Sequence, residues 1–205
     1  MDNGAKATLL PSGTLLASSW DPILVERLYV MEGKELLRNG IDLLLGPGMN
    51  IQRHPLNGRN FEYFSEDPLL TGMMAAAVVR GIRSGGGIAT LKHFACNNQE
   101  FARAKADSVV SERALREIYL KGFEYAVKSG GANAVMTAYN PVNGHHAASN
   151  YDLTTTVLRE EWGLSRDRDD RLVGDHERSC RWRRGKYAQY RSNGPRAERP
   201  LYGGQ

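Results

Sequence analysis

Hydrophobic and polar positions in residues 1–163 alternate between a helical and a strand pattern. After Asp21 and Pro22, a typical N-cap and N1 pair, Leu24, Leu28 and Met31 recur on one helical face. Similar signals predict helices at 22–39, 68–84, 111–128 and 152–162. Short apolar runs predict strands at 41–45, 88–91 and 133–138. Strands that alternate with helices predict a parallel α/β sheet, either a barrel or a doubly wound sheet.

Polar residues cluster where the predicted strands end. These clusters are Gly46-Pro47-Gly48, Lys92-His93 and Tyr139-Asn140. In a (β/α)₈ barrel the functional site lies at this edge, on the loops that follow the strands. A complete barrel takes roughly 250 residues, and only three strands are indicated here. We therefore expect a partial barrel that is incomplete at both ends.

Composition indicates a globular chain without metal or disulfide chemistry. The 205 residues are 41% hydrophobic, and no apolar run reaches the length of a membrane span or a signal-peptide core. This favours a cytoplasmic protein without a membrane partner. Cys96 and Cys180 cannot form a disulfide framework and lack metal-ligand spacing, and His145-His146 is interpreted as a solvated loop pair. No cofactor and no metal are predicted.

Charge divides the chain at Gly163 and Leu164. The net charge of +4 consists of +5 in residues 164–205 and −1 in the rest. The basic tail has few hydrophobic residues and no helical or strand period, so we predict that it is disordered. Its arginines alternate with aromatic residues, which leaves anion or nucleic-acid binding open as an alternative function.

Each polar segment also has an ordinary structural interpretation. Lys92-His93 could cap a strand, with the two side chains diverging unless the strand bends. Glu66 and Asp67 could simply favour a helix start through the helix dipole. The segment 139–144 could be a turn, because Asn-Pro and Asn-Gly are turn formers.

Five segments in one order point to a family. They read LLLGPGMNIQRHPLNGRNFEYFSEDPLLTG, LKHFACNNQE, DSVVSERALREIYLKGFEYAV, MTAYNPVNG and LTTTVLREEWG. Between Leu15 and Gly163 the chain resembles the N-terminal barrel domain of family 3 glycoside hydrolases. The resemblance implies a partial TIM-like barrel at residues 1–163. It also implies a retaining β-glucosidase that releases terminal β-D-glucosyl residues, with a small carbohydrate as its partner.

The resemblance also implies a set of substrate-binding residues at the strand ends. Matched to the family's motifs, they are Arg59, Lys92, His93, Arg103 and Tyr139. Charged donors suit this task because hydrogen bonds to an ionised group are about twice as strong as neutral ones. A bond that strengthens at the oxocarbenium-like transition state lowers the barrier. Tyr139 would lie near the reacting carbon and help to orient the nucleophile.

The family's nucleophile has no match in this sequence. It is an aspartate on the strand after REEWG, but residues 164–171 are charged where a buried strand should be apolar. Asp167, Asp169 and Asp170 are therefore not assigned this role. With suitable codons for residues 164–174, a one-base shift spells Phe-Gln-Gly-Ile-Val-Met-Thr-Asp-Trp-Trp, so we hypothesise that the tail is a frameshift product. The nucleotide sequence decides this.

Two further parts of the family's catalytic machinery are also unmatched. The acid/base residue comes from a second domain in this family, and a sugar-binding DGP-like segment has no counterpart before Leu15. We expect the isolated chain to be inactive and prone to aggregate, or else to bind sugar without cleaving it. The oligomeric state stays open.

Overall fold

The computed structural model describes residues 7–164. In it two of the predicted helices begin directly after their capping residues. Helix α2 spans Pro22–Arg38, and the Asp21 carboxylate accepts hydrogen bonds from the amides of Ile23 and Leu24 at 3.0 Å each. Helix α3 spans Pro68–Ser84, and Asp67 caps it by accepting from the Leu70 amide at 2.6 Å. A short helix, α1 at Gly13–Ser18, was not predicted.

Three strands form a parallel sheet, as the alternating pattern predicts. They are β1 at Leu43–Leu44, β2 at Ile88–Phe94 and β3 at Ala134–Thr137, in the order β1-β2-β3. The predicted end of the middle strand at residue 91 is wrong, because Lys92 and His93 lie inside β2. The amide of Lys92 donates to Pro47 at 3.1 Å, and its carbonyl accepts from the Met49 amide at 2.8 Å. Pairing with the segment after β1 on one side and with β3 on the other thus carries the strand through these polar residues.

The later helices are less regular than the pattern predicts. The expected helix at 111–128 consists of α4 at Glu112–Ala114, a π-helical segment at Leu115–Tyr119 and α5 at Lys121–Lys128. The last helical segment, Asp152–Glu161, is π-helical. Two 3₁₀ helices lie at Asn60–Glu62 and Ala147–Ser149.

The segment after β3 folds back as a small hairpin. Strand β4, Pro141–Val142, pairs antiparallel with β5, His145–His146. Asn143 and Gly144 connect the strands with φ values of 51° and 85°, which suits the tight two-residue turns that Asn-Gly forms. Of the segment 139–144, which could have been an ordinary turn throughout, only Asn143 and Gly144 form one. Both histidines are exposed on this hairpin.

Helices α2 and α3 pack closely because each has a glycine that faces the backbone of the other. A Cβ atom on Gly33 would lie 2.5 Å from the carbonyl oxygen of Ile82, and one on Gly81 would lie 2.5 Å from that of Glu26. Carbon cannot approach a carbonyl oxygen so closely, so these positions require glycine. The other side of α3 packs on α5, and α3 also contacts β2.

Aromatic rings join the sheet to the later helices. The Phe94 ring at the end of β2 contacts Phe123 of α5 at a centroid distance of 5.2 Å and Trp162 at 6.0 Å, both edge to face. Phe94 and Phe123 are almost fully buried. This cluster holds the C-terminal end of β2, where the polar residues also lie.

Several sequence predictions concern residues that the structure does not describe. Residues 165–205 lie outside the described residues. The predictions that fall on them are the basic tail with its anion-binding alternative, the frameshift hypothesis with Asp167, Asp169 and Asp170, and the interpretation of Cys180. Cys96 is buried and forms no disulfide. Within residues 7–164, no helix is both long and apolar enough to cross a bilayer.

Candidate functional site

Glu62 lies between two of the predicted site cations. The 3₁₀ helix Asn60–Glu62 brings residues 59 and 62 to one side, since its period is three residues. Arg59 forms an ion pair with Oε1 of Glu62, and the Nζ atom of Lys92 lies 3.2 Å from Oε2. All three side chains are largely buried, with 16 to 23% of their surface exposed. The carboxylate therefore neutralises charge that would otherwise be unpaired in a poorly solvated position.

His93 connects Arg59 to a buried tyrosine. Its Nε2 atom lies 3.1 Å from Nη2 of Arg59, and its Nδ1 atom lies 3.3 Å from the hydroxyl of Tyr63. A guanidinium only donates, so Nε2 accepts, and Nδ1 carries the proton of the neutral ring. The Tyr63 hydroxyl can then accept from Nδ1 while it donates to the carbonyl of Asn97 at 3.2 Å. The histidine is therefore neutral, with both nitrogens occupied.

The surroundings of His93 and Tyr63 favour their neutral forms. Burial lowers the pKa of His93 to about 4, and the charge of Arg59 also lowers it. Burial likewise raises the pKa of the Tyr63 phenol above its ordinary value. Neither side chain is suited to carry charge at neutral pH, so both serve as fixed hydrogen-bonding groups.

A bend in β2 explains how neighbouring side chains reach the same cluster. The pairing register with β3 shifts between Lys92 and Phe94, so the alternation of a regular strand is interrupted there. Asn50 fixes the bend, since its side-chain amide donates to the His93 carbonyl and accepts from the His93 amide, each at 2.9 Å. The bend that the sequence left open is thus present, and Lys92 and His93 converge.

A second series of contacts leads from Tyr63 to the remaining predicted residues. The amide of Asn97 donates to the Tyr63 hydroxyl at 3.0 Å and to Glu100 at 3.0 Å. Glu100 in turn accepts from Arg103 at 2.9 Å. The Arg103 guanidinium lies over the ring of Tyr139, 4.8 Å from its centroid, within the range of a cation–π contact.

All of the residues predicted at the site therefore belong to one connected set of contacts, which we term the polar network. In order of contact its members are Lys92, Glu62, Arg59, His93, Tyr63, Asn97, Glu100, Arg103 and Tyr139. Three cations and two carboxylates, with neutral His93, give the network a net charge of +1. With so small a net charge, the network can offer a ligand hydrogen-bond donors in fixed directions without a strong positive field.

The acidic and amide members of the network were not predicted from the sequence. Glu62 follows Arg59 by three residues, and Glu100 precedes Arg103 by three. Opposite charges at this spacing signal an ion pair in a helix or turn, and that signal could have indicated both carboxylates. For Asn50 and Asn97, which are buried, no comparable local signal exists.

Donors remain available on all three cations of the network. Lys92 pairs with Glu62 through its ammonium charge, and Arg59 uses Nε and Nη2 on Glu62 and His93. Among residues 7–164, Nη1 of Arg59 has no hydrogen-bond partner. His93 is only 5% exposed and Tyr139 is 63% exposed, so of these two side chains Tyr139 presents far more surface to a ligand. Lys92, Arg59 and Tyr139 are the groups best placed to contact a ligand.

A cleft of about 770 Å³ adjoins the network but does not contain the predicted residues. It lies between the loops around 53–57 and 96–111 and the helix that follows, with Leu56 and Phe101 at its exposed rim. Glu100 lines it and also belongs to the network. The cleft is therefore a neighbour of the polar network and not the same site.

The chain belongs to the family described as glycosyl hydrolase family 3 N terminal domain, whose model matches residues 1–176. The fold and the resemblance of the five segments agree with this membership. The parallel α/β arrangement with polar residues at the strand ends is thus that of a known enzyme family.

Several relatives extend well beyond this chain. A β-glucosidase from Ruminococcus albus is 58% identical over 164 residues, which is 80% of this chain and 17% of the relative. A crystal structure of a β-glucosidase from Paenibacillus barengoltzii is 76% identical, with a TM-score of 0.78 over 80% of this chain and 18% of that one. β-Glucosidase 3B from Thermotoga neapolitana in complex with glucose is 52% identical, with a TM-score of 0.76 over 77% and 22%. The chain thus spans about a fifth of the length of these proteins.

Proposed function

We propose that this chain forms the sugar-binding part of a retaining glycoside hydrolase acting on O-glycosyl bonds of β-glucosides. The single observation that carries the proposal is that Arg59, Lys92, His93, Arg103 and Tyr139 share one polar network. The similarity to β-glucosidases, one of them bound to glucose, supports this substrate class.

The three-stranded sheet is, in this proposal, one part of a (β/α)₈ barrel. Its strands are parallel, and the network lies at the C-terminal end of β2 and after β3, where barrel enzymes hold their substrates. Within residues 7–164 the outer edges of β1 and β3 have no strand partner, and further βα units would then pair there, because an exposed strand edge leaves backbone groups without partners.

Ligand binding would use rigid donors and one exposed ring. Free hydrogens on Lys92 and Arg59 suit hydroxyl oxygens of a pyranose, and their ion pairs with Glu62 hold both groups before a sugar arrives. Tyr139 would contact the sugar near the reacting carbon, with Arg103 stacked on its other side. His93 would act mainly through Arg59, since both of its ring nitrogens already have protein partners.

Bond cleavage would need groups outside this network. A retaining hydrolase uses a nucleophile and an acid/base, two carboxyl groups about 5 Å apart. Glu62 and Glu100 are each ion-paired with arginine or lysine, which favours structural roles for both. We therefore expect the isolated chain to bind glucose without hydrolysing β-glucosides.

Calorimetric titration of the 205-residue chain with glucose tests this proposal. We expect saturable binding with a Kd in the millimolar range, and about tenfold weaker binding after Arg59→Ala, because a hydrogen bond to a charged group contributes about 1.5 kcal/mol or more. Glu26→Gln is the matched control, since it removes a comparable ion pair, with Arg80 at 2.8 Å, between α2 and α3. Equal affinity in the wild type and Arg59→Ala would contradict the assignment. Release of p-nitrophenol from p-nitrophenyl β-D-glucoside would contradict the expectation that the isolated chain does not hydrolyse β-glucosides.

A further inference from the structure

We infer that Glu62 is a positioning residue, which sets the orientation of both Arg59 and Lys92 toward the sugar. This inference rests on the proposed function, and it assigns a role to a side chain that does not itself need to touch the ligand. Glu62 is the one carboxylate within residues 7–164 that pairs with two of the predicted site cations.

The contacts of Glu62 leave each cation little freedom. One carboxylate oxygen binds Arg59 and the other binds Lys92, so the two cations are held on opposite oxygens of one planar group. Arg59 is further fixed by His93. A long side chain that is already ordered loses less conformational entropy when a ligand binds, so this arrangement favours affinity.

Charge gives a second reason for the role of Glu62. Arg59 and Lys92 are both largely buried and share one carboxylate. Without Glu62 the two positive charges would repel each other in poorly solvated surroundings, and each side chain would turn toward water. The donors would then no longer point to a common ligand position.

The backbone beside Glu62 is shaped to admit its carboxylate. A Cβ atom on Gly48 would lie 2.8 Å from Oε2 of Glu62, closer than such atoms approach. The same loop is held on β2 by the backbone contact between Met49 and Lys92. Glycine at position 48 therefore leaves room for the carboxylate at the point where it meets Lys92.

Two variants test the inference through different changes at the same place. Glu62→Gln keeps the size of the side chain and removes its charge, whereas Gly48→Ala keeps the charge and displaces the carboxylate. We expect each to raise the Kd for glucose about tenfold, with the midpoint of thermal unfolding changed by only a few degrees. Glu26→Gln is the matched control for Glu62→Gln. Gly58→Ala is the matched control for Gly48→Ala, because a Cβ on Gly58 meets only Glu100 at 3.6 Å, an ordinary contact.

A spectroscopic measurement distinguishes positioning from a loss of general stability. Long-range ¹H–¹⁵N spectra of the wild type should show His93 as the tautomer protonated on Nδ1, because Arg59 donates to Nε2. Once Arg59 is released in Glu62→Gln, a mixture of both tautomers should appear. The Glu26→Gln spectrum should match the wild type.

The outcomes separate this inference from the proposed function. If the wild type shows no saturable response to glucose, the proposed function fails, and the role of Glu62 toward a sugar fails with it. If the wild type binds and Glu62→Gln binds equally well with an unchanged tautomer, only the inference is overturned. If Glu62→Gln loses its cooperative melt, Gly48→Ala decides, and unchanged affinity in that folded variant overturns the inference.

Discussion

The strand β2 serves two regions that are held together by different forces. Phe94 contributes to an apolar layer of rings and close-packed helices, where shape determines the fit. Lys92 and His93, just before it, contribute to the polar network, where each partner is chosen by charge and hydrogen bonding. The apolar layer should therefore govern stability, and the network should govern binding and pH response.

The largest effect is expected from Phe94→Ala. Its ring fills the space between Phe123 and Trp162, so removing it leaves a cavity that the surrounding helices cannot close. The free energy of unfolding should fall by about 4 kcal/mol in urea titrations. Phe101→Ala is the control, because Phe101 is 85% exposed and its loss should change stability by no more than about 0.5 kcal/mol. Equal effects of the two would contradict the assigned core.

Gly33→Ala should be the next most harmful change. The added Cβ would meet the carbonyl of Ile82 at 2.5 Å, so α2 and α3 would have to move apart. We expect a loss of about 3 kcal/mol, the upper range for overpacking. Lys34→Ala, at the neighbouring exposed position of α2, should change the unfolding free energy little. If Gly33→Ala were as stable as the wild type, the helix contact would be looser than described.

The stability of the fold should depend on pH through His93. Burial lowers the pKa of His93 to about 4 in the folded chain. Between about pH 6.5 and pH 4 the unfolded chain therefore binds a proton at this histidine more readily than the folded chain does. The contribution of His93 to the free energy of unfolding is therefore complete above pH 6.5 and is lost as the pH falls. The loss should be about 2 kcal/mol between pH 7 and pH 5. Urea titrations at both pH values measure the loss. His93→Gln should lack this component, and a variant with the full wild-type dependence would exclude His93 as its source.

The smallest expected effect on stability, with a clear effect on binding, is that of Lys92→Met. Glu62 keeps its pair with Arg59, so no buried charge is left unpaired, and the free energy of unfolding should change by about 1 kcal/mol or less. The Kd for glucose should nevertheless rise about tenfold, because an available ammonium donor is lost. Lys128→Met removes an ion pair with Glu124 on α5 at 2.8 Å and should leave glucose binding unchanged. A larger effect on stability than on binding would reverse the contrast between the two regions.

Local patterns predicted much of the fold. Asp21 and Asp67 cap α2 and α3 as expected, since a cap depends only on residues two or three positions away. Gly40 ends the first of these helices at a φ of 67°, a position where glycine carries no steric penalty. The π-helical segments and the extension of β2 were not predicted, because packing and sheet pairing set them.

The candidate site was predicted less completely. The resemblance of the five segments indicated Arg59, Lys92 and Arg103, and the structure joins them through carboxylates that the motifs did not single out. Glu62 and Glu100 could have been suspected from their spacing to arginine. Asn50 could not, because its partner His93 lies 43 residues away along the chain.

The sequence alone predicted the order of α2, α3 and the three parallel strands, their capping residues and the family to which the chain belongs. These follow from short-range chemistry and from the order of motifs along the chain. Three features came from the folded structure: Lys92 and His93 converge, His93 is neutral with its proton on Nδ1, and Gly48 makes room for Glu62. Those features depend on strand register and on contacts between distant segments, which the linear order of residues does not specify.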